Sequence, residues 1–95
     1  MKFAFLVMGN YHAAKDRVAM PKGTAQIIGV ADLEEACAVA KALCAEGVGC
    51  IELCGAFGET GARAVVEATN NQIPIGYVTH LPEQDDVYEA AFSGR

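Results

Sequence analysis

Residues 25–53 read AQIIGVADLEEACAVAKALCAEGVGCIEL, and this stretch decides the fold. Two short apolar runs, Ala25–Val30 and Gly49–Leu53, have the length of buried strands. Between them, Asp32 is a typical helix N-cap, and Gly47 is typical of the left-handed residue that ends a helix. The stretch is therefore predicted to be a strand–helix–strand unit with parallel strands. Small or apolar residues form one face of its helix: Leu33, Cys37, Ala40, Leu43 and Cys44.

The same alternation continues on both sides of this unit. Phe3–Met8 is a continuous apolar run that predicts a first strand, and Ile73–Thr79 predicts a fourth. A second helix is predicted from after Thr60 to about Asn70. We therefore expect one α/β domain over residues 1–95, with a small four-stranded parallel sheet joined by right-handed βαβ crossovers.

The order of the four predicted strands in the sheet has two alternatives. Phe3–Met8 is the most apolar run and is expected at the centre, which favours the flavodoxin-like order 2-1-3-4, with strands numbered along the chain. A half-barrel with the order 1-2-3-4 is the alternative. The connector Gly9–Thr24 is long enough for a crossover, with a short helix at Tyr11–Met20. Residues 81–95 are expected to form a tail or a short docking helix.

Composition and charge exclude several classes of partner. The 95 residues are 53% hydrophobic and 20% charged, with a formal net charge of −5 at pH 7. Non-specific nucleic-acid binding needs a basic surface, so nucleic acid is not an expected partner. The N-terminal apolar run Phe3–Met8 is far shorter than the roughly 20 residues of a membrane span, so no membrane partner is expected either.

The four cysteines are interpreted as reduced thiols. No signal peptide is recognised at the N-terminus, which predicts a cytoplasmic protein. Cys50 and Cys54 lie four residues apart in a strand pattern, a spacing that suits zinc poorly, and no CxxC motif is present. We expect no metal and no cofactor.

Four parallel strands with at most three helices leave part of the sheet surface uncovered. Exposed apolar surface of this kind usually marks an interface. We therefore expect the chain to associate with itself, most simply as a homodimer.

The candidate functional residues follow the predicted strands. Ligands of open parallel sheets bind beyond the carboxyl ends of the strands. In this chain those ends supply polar or reactive side chains and a glycine-rich turn: Asn10, Tyr11, His12, Glu52, Cys54, Gly55–Gly61, Thr79 and His80. Parallel strands would place all of them at one edge of the sheet.

The turn 55–61 is the most informative element, because it has glycines at Gly55, Gly58 and Gly61 between a strand and a helix. The first amides of that helix have no internal partner and carry the positive end of its dipole, so they favour a phosphate or carboxylate. The spacing matches neither the P-loop nor the dinucleotide fingerprint. The alternative is that the glycines only permit a tight turn and close helix packing. The predicted ligand-binding residues are Asn10, His12, Arg17, Glu52, Cys54, Gly55, Gly58, Thr60 and Gly61.

Glu52 is the best single candidate for a catalytic residue. Strand alternation places it on the same face as Cys50 and Cys54, where a carboxylate is costly to bury unless it is paired. Glu52 is then either a carboxylate at the rim, solvated or paired with Arg17 or Lys15, or it is a site acid or base.

Cys54 is the second candidate, because it borders helix amides that lower the pKa of a thiol. His80 or His12 could act as its base across the edge of the sheet. The candidate catalytic residues are therefore Glu52, Cys54 and His80, and the enzymatic alternative is a lyase or isomerase.

The chain also resembles a family of small, uncharacterised bacterial proteins. The stretches that carry the resemblance are IIGV at 27–30, LEEACAVAKAL at 33–43, AEGV at 45–48 and IELCGAFG at 51–58. The last of these resembles the family's IELCGxFG signature. No activity comes with this resemblance, which implies only that Glu52, Cys54, Gly55 and Gly58 contribute to function.

The sequence thus leaves three functions open. The leading one is binding of a small anionic metabolite at residues 55–61. The others are a small enzyme that uses Glu52 or Cys54 and a structural module whose function is oligomerisation.

Overall fold

The centre of the molecule is a five-stranded, mostly parallel sheet, seen in a computed structural model that describes residues 1–93. The order across the sheet is β2-β3-β1-β4-β5. The pairs β3–β1, β1–β4 and β4–β5 are parallel, and β2 pairs antiparallel with β3. The strands are β1 (Phe3–Met8), β2 (Arg17–Ala19), β3 (Ala25–Val30), β4 (Cys50–Leu53) and β5 (Ile75–Tyr77). The fold is of the α/β class, as predicted.

Two helices connect the later strands. α1 (Leu33–Ala45) joins β3 to β4, and α2 (Gly58–Ala68) joins β4 to β5. As predicted, the Asp32 side chain caps α1, where it accepts a hydrogen bond from the Glu35 amide at 2.8 Å. Gly47 follows α1 with a φ of 93°, so the predicted left-handed residue is also confirmed.

The hydrophobic core lies between these two helices and one face of the sheet. Phe57 is 5% exposed, and its carbonyl accepts the Gly61 amide at 3.1 Å, so α2 begins at Gly58 and not after Thr60 as predicted. Alternate strand residues and one stripe of each helix fill this layer. Its largest fully buried side chains are those of Leu6, Ile28, Val30, Leu43, Ile51, Leu53 and Val65.

The connection between β1 and β3 differs from the prediction. Tyr11–Met20 contains no helix, and β2 and β3 instead form an antiparallel hairpin around a 3-10 turn at Pro21–Gly23. Lys22 and Gly23 have φ values of 62° and 67°, which lets the chain reverse direction within a few residues. The four predicted strands are present and pair in parallel, but the predicted number of strands is wrong, because the hairpin adds a fifth, antiparallel strand. The half-barrel order is also wrong, because β1 lies between β3 and β4.

The face of the sheet opposite the core, called here the open face, keeps large apolar side chains exposed. Phe5, Ile27 and Val18 are 43%, 49% and 67% exposed. The strand register aligns Val18 with Ile27 and Ile27 with Phe5, so the three form one continuous row. Glu52 on β4 and Gly76 on β5 extend that row. The open face is therefore apolar on β2, β3 and β1 and carries one carboxylate on β4.

The C-terminal segment forms a 3-10 turn at Pro82–Gln84 and then α3 (Asp85–Phe92). Of the two predicted forms of the tail, the structure has the short helix as far as Phe92, and residues 94 and 95 lie outside the described part. Every residue of α3 except Tyr88 is exposed. Among the helices within residues 1–93, none combines the length and the hydropathy that a membrane crossing requires.

Candidate functional site

Cys54 lies at the carboxyl edge of the sheet, between the ends of β4 and β1. Its amide donates to the Leu6 carbonyl at 3.0 Å, and its Sγ accepts the Met8 amide at 3.3 Å. In the sheet, β1 lies between β3 and β4. The chain after β1 therefore forms strands on one side of β1 first and on the other side later. Cys54 therefore lies at the point where the strand order reverses, which is the usual ligand position in open α/β sheets.

The glycine-rich turn continues from Cys54 into α2. The Phe57 amide donates to the Cys54 carbonyl at 3.1 Å, which closes the turn. Gly58 has a φ of 62°, a conformation that glycine adopts without strain, and nothing lies within 4 Å of the position of a Cβ there. Within residues 1–93, the amides of Gly58, Glu59 and Thr60 form no backbone hydrogen bond outside the helix. The first amides of a helix have no partner within it, so these three donors are the ones that a ligand at the start of α2 would use.

The other two glycines of the turn allow close packing. A Cβ on Gly61 would lie 3.1 Å from the Cβ of Phe57, and a Cβ on Gly55 would lie 2.8 Å from the hydroxyl of Tyr88. Gly55 and Gly61 therefore fit the alternative in which the glycines serve helix packing. Gly58 is the one whose surroundings leave room for a ligand.

His80 approaches the turn through α3. Its Nε2 lies 2.7 Å from Oδ1 of Asp85, and its ring stacks on the Tyr88 ring at 4.1 Å between centroids. Because the Tyr88 hydroxyl covers Gly55, these contacts place His80, Tyr88 and the start of the turn in one cluster. The cluster also fixes α3 to the edge of the sheet.

Glu52 lies on the open face, not inside the turn. Oε1 of Glu52 accepts a hydrogen bond from the Cys50 thiol at 3.6 Å, and the carboxylate carbon would be 3.0 Å from a Cβ on Gly76. The pKa of Cys50 is raised by burial, and further by the hydrogen bond to Glu52 and by its negative charge. The Glu52 carboxylate is thus held over the glycine of β5 with a protonated thiol beside it.

Asn10 and His12 lie in the connection that leaves the end of β1 and runs toward β2 and β3. Asn10 is exposed, and the His12 amide donates to the Asp16 carboxylate at 2.7 Å. Nδ1 of His12 accepts the Ala14 amide at 3.3 Å and lies 3.9 Å from the Glu35 carboxylate. The His12 ring is therefore held by its own loop and by the first turn of α1.

Arg17 is separated from the turn. It lies on β2, which is three strand positions from β4. At a spacing of about 4.8 Å per strand, the two strands are roughly 14 Å apart. The predicted residues thus fall into three groups. The first lies around β4 and contains Cys54, Glu52, the turn and His80. The second, Asn10 and His12, follows β1, and the third is Arg17 at the edge of the sheet.

Sequence reasoning missed a groove of about 370 Å³ on the open face, called here the open-face groove. Its lining includes the apolar residues Val18 and Ile27, the aromatic residue Tyr11, and the charged residues Lys15, Asp16 and Arg17. Tyr11 packs over Gly29 so closely that a Cβ there would lie 2.5 Å from the Cβ of Tyr11. The groove exists only because of the β2–β3 hairpin, for which the turn-forming stretch Pro21–Gly23 was the available signal.

No group of three or more His, Cys, Asp or Glu side chains within residues 1–93 is arranged to hold a metal ion. No curated protein and no solved structure matches the chain. A family model does match it, over residues 1–93. The chain therefore belongs to a family of unknown function, DUF6506.

Proposed function

We propose that this chain works as a self-associating domain, in which two copies pack through their open faces. The row of Val18, Ile27 and Phe5 is the observation that carries the proposal, because each side chain is between 43% and 67% exposed on the sheet. Mostly parallel sheets are normally covered on both faces. A contiguous apolar patch on an uncovered face is typical of an interaction surface.

The total surface area supports the same proposal. The accessible surface of the chain is 6261 Å², and its mass is 10.0 kDa. A compact monomer of that mass exposes about 5,200 Å², so the chain exposes roughly 1,000 Å² more than expected. A standard interface buries about 800 Å² of each partner. The excess accessible surface area is therefore close to the area that each subunit buries in a stable dimer interface.

A second copy is the simplest occupant of the open face. Closed two-fold dimers present the same patch on both subunits, so an apolar face meets an apolar face without any other protein.

Sedimentation equilibrium of Ile27→Lys and of the unchanged chain tests the proposal. At about 100 µM a complex with a Kd near 1 µM is almost fully formed, so the unchanged chain is expected to sediment as a dimer. The Ile27→Lys variant is expected to sediment as a monomer, because it places a charge inside the apolar row. Ala38→Lys, on the exposed side of α1, is the matched control and should stay dimeric. A monomeric unchanged chain at this concentration would overturn the proposal.

A second candidate function is binding of a small anion at the start of α2. The specific observation in its favour is that the free amides of Gly58, Glu59 and Thr60 lie next to Cys54, at the reversal of the strand order. Arg17 lies about 14 Å across the sheet from β4, so this candidate rests on the turn amides, the Thr60 hydroxyl and Cys54.

Thermal unfolding with inorganic phosphate and with a panel of phosphorylated and carboxylated metabolites tests this candidate. A ligand at about a hundred times its Kd adds about 2.7 kcal/mol, which raises Tm by roughly 10 °C or more in a domain of this size. Thr60→Glu should abolish the shift because its carboxylate competes for the amides, whereas Ala38→Glu should keep it. Flat curves across the panel, or equal shifts in both variants, would count against an anion site.

We propose Glu52 as the acid or base, or Cys54 as the nucleophile, of any lyase or isomerase chemistry. A cytoplasmic location also stays a proposal, and the four free thiols are compatible with it. Slow iodoacetamide labelling of Cys54 across neutral pH would remove the thiol mechanism.

A further inference from the structure

Glu52 is the charged side chain in the row that crosses the open face. The strand register gives this row as Val18, Ile27, Phe5, Glu52 and Gly76. Within residues 1–93, Glu52 belongs to none of the ion pairs. Its carboxylate accepts a hydrogen bond from the Cys50 thiol at 3.6 Å. Because Glu52 is only half-buried, solvent and not a cation stabilises its charge in the single chain.

An interface of standard size on the open face has to cover β4 as well as the apolar strands. Five strands at about 4.8 Å spacing, with a longest strand of six residues at about 3.3 Å each, form a face of roughly 24 by 20 Å. Each subunit of a standard interface buries about 800 Å² of accessible surface. An interface of that size takes up most of the face, so the second copy covers the Glu52 carboxylate.

Two orientations of a two-fold axis between the stacked faces keep the two rows in register. An axis parallel to the strands, beneath β1, reverses the strand order and brings Ile27 of the second copy opposite Glu52. An axis along the row keeps the strand order and brings the two Glu52 side chains opposite each other. The carboxylate exchanges water for an aliphatic side chain in the first case and meets a like charge in the second. Both changes disfavour the charged form.

We infer that association through the open faces is coupled to proton uptake by Glu52. This inference rests on the proposed self-association and names what controls its strength. A proton on the carboxylate removes the charge that burial disfavours, and each subunit contributes one such carboxylate. The dimer then binds as many as two protons more than two separate chains do. By linkage, association therefore strengthens as the pH falls and weakens as the pH rises.

The groups that face Glu52 within its own subunit do not titrate between pH 5.5 and pH 8. Burial, the hydrogen bond to Glu52 and the Glu52 charge raise the pKa of Cys50 above the ordinary thiol value, so this thiol stays uncharged. The neighbouring strands present Phe5 on β1 and Gly76 on β5. Lys15 and Asp16, which line the open-face groove, precede β2, and β2 is three strand positions from β4.

Sedimentation equilibrium of full-length chains at pH 5.5 and pH 8 tests the inference. The Kd of the unchanged chain is expected to be at least about tenfold lower at pH 5.5, because proton uptake favours the dimer. Glu52→Gln removes the charge and keeps the size of the side chain. At pH 8 its Kd is expected to be at least about tenfold lower than that of the unchanged chain, with most of the pH dependence lost. Glu52→Met is expected to behave in the same way.

Glu34→Gln is the matched control, because it removes one negative charge at an exposed position of α1. Lower pH also adds positive charge at His12 and His80, and this contribution is common to all the variants. Glu34→Gln is expected to keep the pH dependence of the unchanged chain. If Glu52→Gln and Glu52→Met keep it too, the coupling is overturned while self-association stands. If the unchanged chain is monomeric at about 100 µM at both pH values, both proposals are overturned.

Discussion

Glu52 places a carboxylate in a row that is otherwise apolar, and its neighbours explain how the sheet accommodates it. Gly76 on the next strand leaves the space that the carboxylate occupies, since any β carbon there would collide with it. The Cys50 thiol donates to the carboxylate at 3.6 Å. The unit therefore consists of a glycine, an acid and a protonated thiol, with the acid in contact with the other two.

The pKa of Cys50 is the measurable consequence of this unit. Burial raises it, and the hydrogen bond to Glu52 and the Glu52 charge raise it further, because all three disfavour the thiolate. The folded-state pKa is thus above the unfolded value, so Cys50 stabilises the fold at pH values below the unfolded pKa. This stability is lost as the pH rises through the folded pKa.

Glu52→Gln is expected to lower the pKa of Cys50 toward the ordinary thiol value without reaching it, because burial remains. The pH dependence of iodoacetamide labelling at Cys50, followed by peptide mass spectrometry, measures the change. Glu34→Gln, far from Cys50 on the outer surface of α1, should leave the labelling midpoint in place. An unchanged midpoint in Glu52→Gln would mean that the Glu52 charge has no influence on the thiol.

The first turn of α1 shows what a single cap contributes to an element. Asp32 is the residue whose carboxylate accepts the Glu35 amide at 2.8 Å. Asp32→Ala removes this bond and is expected to lower the free energy of unfolding by about 1 kcal/mol, whereas Asp32→Asn should lose far less. Urea denaturation at one fixed protein concentration measures both. Equal losses in the two variants would assign the effect to the charge near the helix dipole, not to the cap.

The elements that the sequence predicted well are those in which several local signals agree. For α1, the cap at Asp32, the apolar stripe and Gly47 all indicate the same helix, and the structure has it at Leu33–Ala45. β2 has only three residues, Arg17–Ala19, which is too short for a periodic pattern. Its turn also uses Lys22 with a φ of 62°, a conformation that sequence reasoning assigns to glycine.

The candidate site also contains one part that local sequence signals predict and one part that they do not. Cys54, Gly58 and Thr60 are close in sequence, so a strand followed by a helix is enough to predict that they share one turn. The position of Arg17 depends on the hairpin, which is decided by pairing between β2 and β3. The turn-forming stretch Pro21–Gly23 indicates a reversal of the chain, but the pairing of β2 with β3 comes from tertiary structure.

The whole molecule is more extended than a self-sufficient monomer of its length. Its radius of gyration is 13.6 Å, compared with about 12.4 Å expected for a compact domain of this size. Its dimensions are 39 × 27 × 24 Å. Helices cover one face of the sheet, and α3 contacts its edge through Tyr88 and through the bond between Asp85 and His80. The shape and the open face are the two features that the proposed self-association would account for.

Concentration-dependent thermal stability is the consequence for the whole molecule. If folding and association are coupled, each tenfold increase in protein concentration adds about 1.4 kcal/mol per dimer, which raises Tm by roughly 3–5 °C. Ile27→Lys should unfold at a lower Tm that does not change with concentration, because the apolar row no longer associates. Ala38→Lys should keep the slope of the unchanged chain, since position 38 faces solvent on α1. Differential scanning calorimetry over a hundredfold range of concentration distinguishes these cases. A Tm of the unchanged chain that stays constant over that range would mean that the open face is stable in water without a partner.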